Sequence, residues 1–323
     1  MLPVSVELKN KLKQLNESLK QVYPSRSFDE ANIRERLQEA GTFYQLNKLS
    51  GAEIRDWLQD GLLVGVDGSV NSTKGSQDRT LSVFQALAKG TQGEEKWAAD
   101  VYTPLLEDEG GKDGSAAREA RKRGAFLSRL EMKVTIEAIQ DWAPRVVMAD
   151  GSLLHYSIDD NEVWEQLARL AEMKDSLLVG VSEEIGSRTL VKELFPEYRA
   201  WTDRDLLYGV LKMGEAYEWE GWSRADGRNQ AGNSMWKLVF RTSRSPQPIG
   251  LDGLSSQHGE RLQLAKLVYS LTPEQGRGIP YWLDIVDRQV RVTDPLVETM
   301  VDQYIDPEIR YRLLSSKRSD RMI

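Results

Sequence analysis

Residues 62–69 of the chain are LLVGVDGS, and residues 145–152 are RVVMADGS. Each stretch is a short apolar run ending in Asp-Gly-Ser, a pattern typical of a strand that is buried on both faces. Active residues of an open α/β sheet gather where its strands end. We therefore expect Asp67 and Asp150 to lie together at one edge of a sheet. The alternative is that each Asp-Gly pair only forms a turn.

The segments around these two strands predict an α/β core. Alternating stretches near residues 81–87 and 97–103 predict two more strands after the first, and a long helix over 115–142 ends before Pro144. A helix over 161–174 and a buried strand, SLLVGVS, follow the second Asp-Gly-Ser. The order β-β-β-α-β-α-β predicts a ribonuclease H-like fold, with a mixed five-stranded sheet flanked by helices.

The N-terminal part of the chain is predicted to be helical. Leucines at helical spacing predict an amphipathic helix over residues 4–22, and residues 28–60 continue as helix, with Ser50 as an N-cap. Residues 1–60 are therefore an N-terminal helical region. The narrow leucine stripe needs a partner surface, which is the core of this chain, a second subunit or another protein.

Residues 61–323 are predicted to form the main domain, with a core at about 61–200. Helical and β additions follow the core, among them the strand SMWKLVF and a helical region after Pro280. We expect residues 105–115 and 218–234 to be loops, because both stretches are polar and rich in glycine.

The composition excludes several classes of protein. The chain has no cysteine, which rules out disulfides and thiolate sites, and its two histidines lack the spacing of paired zinc ligands. Neither GxxxxGK[ST] nor GxGxxG is present. The chain has no run of about 18 apolar residues, the length needed to span a bilayer. We therefore expect a cytoplasmic protein with no membrane association. The net charge of −7 argues against a surface that binds nucleic acid everywhere, but it allows one basic groove.

Two further acidic residues lie where an apolar residue is expected. Glu131 falls on the core-facing stripe of the long helix, and Asp287 falls on the stripe of the segment PYWLDIVDRQVRV. A buried carboxylate costs several kcal/mol unless it is paired, hydrogen-bonded or bound to a cation. The alternatives are that Glu131 pairs with Arg129 or Lys133, and that Asp287 pairs with Arg291 four residues on.

Together, Asp67, Glu131, Asp150 and Asp287 would form an oxygen-ligand site for Mg²⁺ or Mn²⁺. Such a site suits phosphodiester hydrolysis, because two metal ions roughly 4 Å apart can activate water and stabilise the leaving oxygen. Basic residues on the same helix are candidates for contacts to the phosphate backbone of DNA: Arg118, Arg121, Lys122 and Arg123. Tyr281 and Trp282 are candidates for stacking on bases, with ordinary packing as the alternative.

Five segments of the chain, in this order and spacing, resemble the successive motifs of the NurA nuclease family. They are VGVDGS (64–69), RLEMK (129–133), MADGSL (148–153), VGVS (179–182) and IPYWLDIVDRQVR (279–291). The resemblance implies a ribonuclease H-like fold, Mn²⁺-dependent endo- and exonuclease activity on DNA, and a homodimer. It also implies partnership with a HerA-type hexameric ATPase in DNA end resection during double-strand-break repair, with Mg²⁺ as the alternative metal.

The resemblance also assigns residues and marks one departure. It places metal-binding carboxylates at Asp67, Glu131 and Asp150, and it places Asp287 where relatives carry His or Asp. After VGVS, relatives often have a lysine, whereas this chain has Glu183 and Glu184. If that lysine holds the scissile phosphate, its role here is lost or passes to another residue, such as Arg188 or Lys192.

Two other functions compete with a nuclease. Actin-like and sugar-kinase-like ATP-binding proteins also place Asp-Gly loops after strands. Such proteins, however, need more residues than remain in this chain, and their sites do not require a carboxylate like Glu131. A catalytically inactive DNA-binding scaffold is the other alternative, for which the missing lysine is the hint. Metal-dependent cleavage of DNA separates the three functions.

Overall fold

The computed structural model describes residues 5–23, 30–73, 79–106, 116–225 and 235–314. The strands are β1 (Thr42–Gln45), β2 (Leu63–Ser72), β3 (Ser82–Gly90), β4 (Glu95–Tyr102), β5 (Val146–Asp150), β6 (Leu177–Ser182), β7 (Glu215–Glu218), β8 (Met235–Phe240) and β9 (Ile249–Leu254). The helices are α1 (Val6–Val22), α2 (Glu30–Ala40), α3 (Gly51–Leu58), α4 (Ala116–Trp142), α5 (Leu153–Asp159), α6 (Asn161–Met173), α7 (Thr189–Leu194), α8 (Asp203–Leu207), α9 (Glu220–Ala225), α10 (Arg261–Leu271), α11 (Tyr281–Val290), α12 (Asp294–Tyr304) and α13 (Pro307–Ile309). Short 3₁₀ turns lie at Pro104–Leu106, Pro196–Tyr198 and Ser255–Glu260, and a π-helical turn at Arg310–Leu314.

The strands form one mixed sheet in the order β1-β7-β8-β9-β6-β5-β2-β3-β4. β5 pairs in parallel with β2 and β6, and the other neighbours are antiparallel. The predicted α/β class is confirmed, and the five strands predicted for the core are contiguous, as β6-β5-β2-β3-β4. The predicted strand number is wrong, because β9, β8, β7 and β1 extend the sheet to nine strands. β1 and β7 have only four residues each, too few to show a period.

The two faces of the sheet are covered by different helices, as expected for buried parallel strands. Along β5, Val147 and Ala149 pack toward α4, α5 and α6, while Val146 and Met148 pack toward α10. Successive residues of a strand face opposite sides, so an apolar run such as VVMA contributes to both layers. Across the described ranges, no helix is long and apolar enough to cross a bilayer.

The N-terminal region departs from the prediction of continuous helix. Residues 28–60 contain α2 and α3, as expected, but β1 lies between them and pairs with β7. Ser50 caps α3 in a capping box with Glu53, as its position predicts. Ile33 and Leu37 of α2 are buried in the same cluster as α7 and α8, so this region packs against the rest of the chain.

The leucine stripe of α1 is not covered by the core of this chain in the part that the structure describes. The helix has no buried residue, and Leu8, Leu12, Leu15 and Leu19 are each about half exposed. Only the end of α1 is attached, where Trp201 Nε1 donates to the Val22 carbonyl at 3.0 Å. The first partner surface that the sequence allowed, the core of this chain, is thus not found among the described residues.

One predicted loop is in part helical. Residues 220–225 form α9, and Trp219 and Trp222 on this segment are each 4% exposed. The polar composition misled the prediction because the two tryptophans, which carry the packing, are separated by a glycine and a glutamate. The remainder of that predicted loop, 226–234, and most of the predicted loop over 105–115 lie outside the described residues.

Candidate active site

The two Asp-Gly-Ser segments meet at one edge of the sheet. β2 and β5 are parallel and in a register that pairs Val66 with Ala149, so the next residues along the two strands are Asp67 and Asp150. Residues at matched positions of parallel neighbours face the same side of the sheet. The pattern of the sequence therefore brings these two carboxylates side by side at the carboxyl ends of their strands.

The backbone turns sharply after Asp150. Gly151 has a φ of +115°, a conformation that residues with a side chain rarely adopt. Ser152 then caps α5, and the buried carboxylate of Asp252 on β9 accepts hydrogen bonds from the Ser152 hydroxyl and, at 3.0 Å, from the Leu153 amide. These contacts fix the direction in which the chain leaves Asp150.

Glu131 reaches the same edge from α4. It is 8% exposed, and the Tyr156 hydroxyl of α5 donates a hydrogen bond to it. A Cβ atom at Gly68 would lie 2.3 Å from Glu131 Oε1, so only a glycine after Asp67 leaves room for this carboxylate. Arg129, one of the alternative partners of Glu131, instead pairs with Asp160 at 2.6 Å.

Burial and mutual repulsion shift the acidity of all three groups. Burial, followed by repulsion from Asp150, raises the pKa of Asp67 to about 7. Burial, followed by repulsion from Asp67, raises the pKa of Glu131 to about 8, against the hydrogen bond from Tyr156. Burial raises the pKa of Asp150 to about 6, although Arg277 lowers it. The three carboxylates are therefore costly to ionise in the protein alone, which is the usual condition of a functional acidic cluster.

A cavity of about 220 Å³ opens between α4 and α5 at this edge. Glu131 and Asp150 line it, together with Tyr156 and Asp159. Asp159 accepts from the Ser128 hydroxyl at 2.6 Å and adds to the repulsion that acts on Glu131. The cavity gives a ligand access to two of the three raised carboxylates.

Asp287 of α11 lies at the border of the cluster. It acts electrostatically on both Asp67 and Asp150, and it also forms the alternative ion pair with Arg291, at 2.5 Å. Asp284, one turn earlier, accepts from Arg277 at 2.8 Å. The structure thus places Asp287 near the cluster, and its pairing keeps it partly exposed.

The predicted DNA contacts lie on two sides of the site. Arg118 and Arg121 are exposed on the first part of α4, and Lys122 and Arg123 beside them are half-buried. At 1.5 Å per residue, Arg123 is about 12 Å along the helix from Glu131. Tyr281, at the start of α11, is 53% exposed.

Trp282 has the packing role that was the alternative to base stacking. It lies against β2, where a Cβ atom at Gly65 would meet its ring at 2.9 Å. Its neighbour Tyr281 is free of such packing and stays a candidate for contact with a base.

The cluster fits a divalent cation in chemistry and charge. It offers carboxylate oxygens, which hard cations prefer, and the repulsion among them would be relieved by positive charge. Within the described ranges, however, no group of three or more His, Cys, Asp or Glu side chains is placed so that it could hold a metal ion. Binding would therefore require the carboxylates to rotate toward one another.

The prediction from sequence missed four residues of the site. They are Tyr156, Asp159, Asp252 and Arg277. Tyr156 and Asp159 lie on α5, which has only seven residues and no helical period long enough to detect. Asp252 lies in LDGL on β9, and this Asp-Gly after an apolar residue is the signal that could have found it.

Comparison with known proteins places this site in a family. The model of the NurA domain matches residues 61–292, which is more than half of the chain. The chain belongs to the NurA family. Its NurA domain begins just before β2, ends just after α11, and includes the three raised carboxylates, Asp287 and Arg277.

One solved structure supports the same fold for this NurA family member. The NurA nuclease from Sulfolobus solfataricus is similar over 95% of this chain and 98% of its own, with 12% identity and a TM-score of 0.61. At this identity the likeness shows a shared fold. The catalytic domain of human endonuclease V covers 87% of this chain and 98% of its own, with 14% identity, but its TM-score of 0.37 is too low to support an argument. Comparison with curated proteins found no match.

Proposed function

We propose that the protein is a metal-dependent nuclease that hydrolyses phosphodiester bonds in DNA. The observation that carries the proposal is the convergence of Asp67, Glu131 and Asp150, from β2, α4 and β5, at one edge of the sheet. Membership of the NurA family supports it, as does the shared fold with a protein described as the NurA nuclease.

In this proposal the three carboxylates hold the cation, and Asp287 completes the set. Mn²⁺ is the proposed ion and Mg²⁺ the alternative, since both accept oxygen ligands. When bound, the cation supplies Lewis-acid stabilisation of the phosphoryl oxygens. The hydrogen bond from Tyr156 orients Glu131, and Asp252 fixes the turn that carries Asp150.

The DNA would enter along the basic first part of α4. Contacts to the backbone by arginine and lysine position a strand without selecting its sequence. The residues proposed for these contacts are Arg118, Arg121, Lys122 and Arg123. Tyr281, exposed at the start of α11, is proposed to stack on a base.

The wider role that we propose is endo- and exonucleolytic processing of DNA ends in double-strand-break repair, in the cytoplasm, with a HerA-type hexameric ATPase. We further propose a homodimer. The uncovered leucine stripe of α1 supports an interaction with a second protein, because an apolar stripe that the fold leaves in water is a common docking feature. Its partner is either a second copy of this chain or the ATPase.

The decisive experiment is cleavage of end-labelled single- and double-stranded DNA by the purified protein, with Mn²⁺, with Mg²⁺ and with EDTA. Asp67→Asn and Asp150→Asn are measured beside the wild type. Asp100→Asn is the matched control, because Asp100 is an exposed carboxylate on β4 of the same sheet. We expect cleavage that EDTA abolishes, that both site variants lose and that the control keeps.

Other outcomes select among the alternatives. DNA that stays intact with every metal, even with the ATPase added, contradicts the proposed nuclease. Binding of DNA without cleavage would favour an inactive scaffold, and binding of ATP without binding of DNA would favour a kinase-like protein.

A further inference from the structure

Arg277 is held between two elements at the edge of the sheet that carries the site. Its Nη1 donates to Glu183 Oε2 at 2.6 Å, just past the end of β6. Its Nη2 and Nε donate to Asp284 Oδ1, in the first turn of α11, at 2.8 and 3.2 Å. Two carboxylates thus restrain one guanidinium, in the loop between α10 and α11.

This guanidinium faces the candidate site. Among the described residues, it is the cation whose interactions act most strongly on both Asp67 and Asp150. β2, β5 and β6 are neighbours in the sheet, and Asp67, Asp150 and Glu183 lie at or just past their carboxyl ends. Arg277 therefore lies across the ends of three adjacent strands.

Arg277 is also accessible and retains donors. Its side chain is 41% exposed. A guanidinium has five N–H groups. The contacts with Glu183 and Asp284 use one on Nε and one on each Nη, so each Nη keeps a second N–H that contacts no other described residue. Donors on both terminal nitrogens are what arginine uses to bind a phosphate bidentately.

The negative charge of the carboxylate cluster favours a cation beside it when a phosphate binds. A phosphodiester anion that approaches Asp67, Glu131 and Asp150 is repelled by their charges, and a fixed cation beside them offsets part of that repulsion. The basic residues in the first part of α4, at positions 118–123, lie two turns or more from Glu131, so they suit the flanking backbone better than the phosphate at the carboxylates. Arg188 and Lys192, the substitutes suggested by the sequence, lie on or next to α7.

We propose that Arg277 binds the scissile phosphate, and that Glu183 and Asp284 hold its guanidinium toward the carboxylate cluster. The proposal rests on the proposed nuclease function. Glu183, the acidic residue after VGVS, then has a function of its own, because it positions Arg277, which a distant loop supplies. The competing account is that Arg277 only ties β6 to α11.

The test compares Arg277→Met and Arg277→Lys with the wild type in two assays. The first is binding of a DNA oligonucleotide in EDTA over a range of salt concentrations, and the second is single-turnover cleavage with Mn²⁺. Arg244→Met is the matched control, because Arg244 is an exposed arginine that pairs with Glu274 at 3.2 Å and is not among the main groups that act on Asp67 and Asp150.

We expect Arg277→Met to reduce the slope of log affinity against log salt by about 1, which corresponds to one lost phosphate contact. Cleavage should fall by about 10²- to 10³-fold, the usual effect of removing one donor to a developing charge. Arg277→Lys should restore the salt slope but little of the rate, since an ammonium cannot form the bidentate contact. Arg244→Met should change neither measurement.

A double variant, Glu183→Gln with Asp284→Asn, separates phosphate binding from a structural tether. It removes both partners and leaves the guanidinium in place. If Arg277 binds phosphate, the double variant keeps the salt slope of the wild type, because the guanidinium remains, and its cleavage rate falls by less than that of Arg277→Met, because the guanidinium is present but no longer held in place. Equal losses in the double variant and in Arg277→Met would establish the tether and overturn the proposal.

The proposal and the proposed function can fail separately. A wild type that cleaves with Mn²⁺, beside an Arg277→Met variant with unchanged rate and salt slope, overturns only the role of Arg277. A wild type that cleaves no DNA overturns the nuclease, and the salt slope in EDTA still decides whether Arg277 contacts phosphate.

Discussion

Asp203 and Asp67 are both buried aspartates, but their surroundings differ. Asp203, at the start of α8, is 0% exposed and accepts four hydrogen bonds. The donors are the Ser187 hydroxyl at 2.6 Å, the Leu190 amide at 3.2 Å, the Val191 amide at 3.0 Å and Trp222 Nε1 at 3.1 Å. Asp67 accepts from the amide of Gly68 at 2.7 Å, and the charged groups that act on it are Asp150, Asp287 and, more weakly, Arg277.

The difference separates a carboxylate that stabilises the fold from one whose charge destabilises it. Four donors offset the desolvation of Asp203, and the hydrogen bonds to its carboxylate link α7, α8 and α9. Folding removes water from around Asp67 and places other carboxylates near it, so its ionised form destabilises the metal-free protein. Burial thus has opposite effects at these two aspartates, and the direction of the effect follows from the neighbouring groups.

The largest effect that we expect from this comparison is on the activity of Asp67→Asn. Cleavage should fall by more than about 10³-fold, equivalent to roughly 4 kcal/mol of lost transition-state stabilisation. In EDTA the same variant should unfold at the wild-type temperature or above it, because an amide carries no charge to repel Asp150. Single-turnover assays and thermal unfolding measure the two quantities. A variant that loses both activity and stability would show that Asp67 is structural.

Asp203→Asn should show the reverse pattern. An amide nitrogen cannot accept from the Ser187 hydroxyl or from the amides of α7, so we expect a loss of about 2 to 3 kcal/mol in the free energy of unfolding. Cleavage per folded molecule should be retained. Urea unfolding with DNA cleavage measured on the same preparation tests this, and unchanged stability would remove the contrast with Asp67.

Much of this contrast follows from the sequence, and the rest depends on distant contacts. The apolar runs before Asp67 and Asp150 predict both strands and their common edge, because parallel strands end together. The helical period predicts that Glu131 faces inward. The hydrogen bond from Tyr156 to Glu131 and the ion pair of Arg277 with Glu183 join residues that are 25 or more positions apart, and local periodicity carries no information about them.

The predicted number of strands in the sheet was wrong for a related reason. β7 and β9 are recognisable as strands only once β8 and β6 are beside them, because their own sequences are short or interrupted by glycine. The site was therefore easier to predict than the sheet, since its main residues follow long, strongly patterned elements.

The stability of the metal-free protein should depend on pH in the direction set by the raised carboxylates. With a pKa of about 7 for Asp67 and about 8 for Glu131, the native state binds more protons than the unfolded chain between about pH 4 and pH 8. Stability is therefore greatest at the acidic end of this window and is lost as the pH rises through 7 and 8. We expect a decrease of about 1 kcal/mol or more between pH 5 and pH 9 in EDTA.

The control for this decrease is the double variant Asp67→Asn with Glu131→Gln. It lacks the two carboxyl groups whose pKa values are raised most, so its free energy of unfolding should vary less with pH between pH 5 and pH 9. Urea titrations at each pH measure both proteins. Parallel curves for the wild type and the double variant would show that these carboxylates do not carry the pH dependence.

The smallest effect that we expect is from Tyr156→Phe, which removes the one hydrogen-bond donor identified for Glu131. Burial raises the pKa of Tyr156 well above its ordinary value, so the hydroxyl stays protonated and donates at every working pH. Loss of a group that orients a ligand typically costs about 10- to 100-fold in metal affinity or activity. We expect a rise of about tenfold in the Mn²⁺ concentration that gives half-maximal cleavage.

Tyr217→Phe is the matched control for this variant, because Tyr217 is equally buried and donates to the Leu37 carbonyl at 2.9 Å, far from the site. Both substitutions remove one buried hydroxyl and should cost about 1 kcal/mol of stability each. Only Tyr156→Phe should change the requirement for metal. If the two variants shift the Mn²⁺ dependence equally, the contact with Glu131 contributes to folding alone, and Tyr156 belongs with Asp203 among the groups that stabilise the fold.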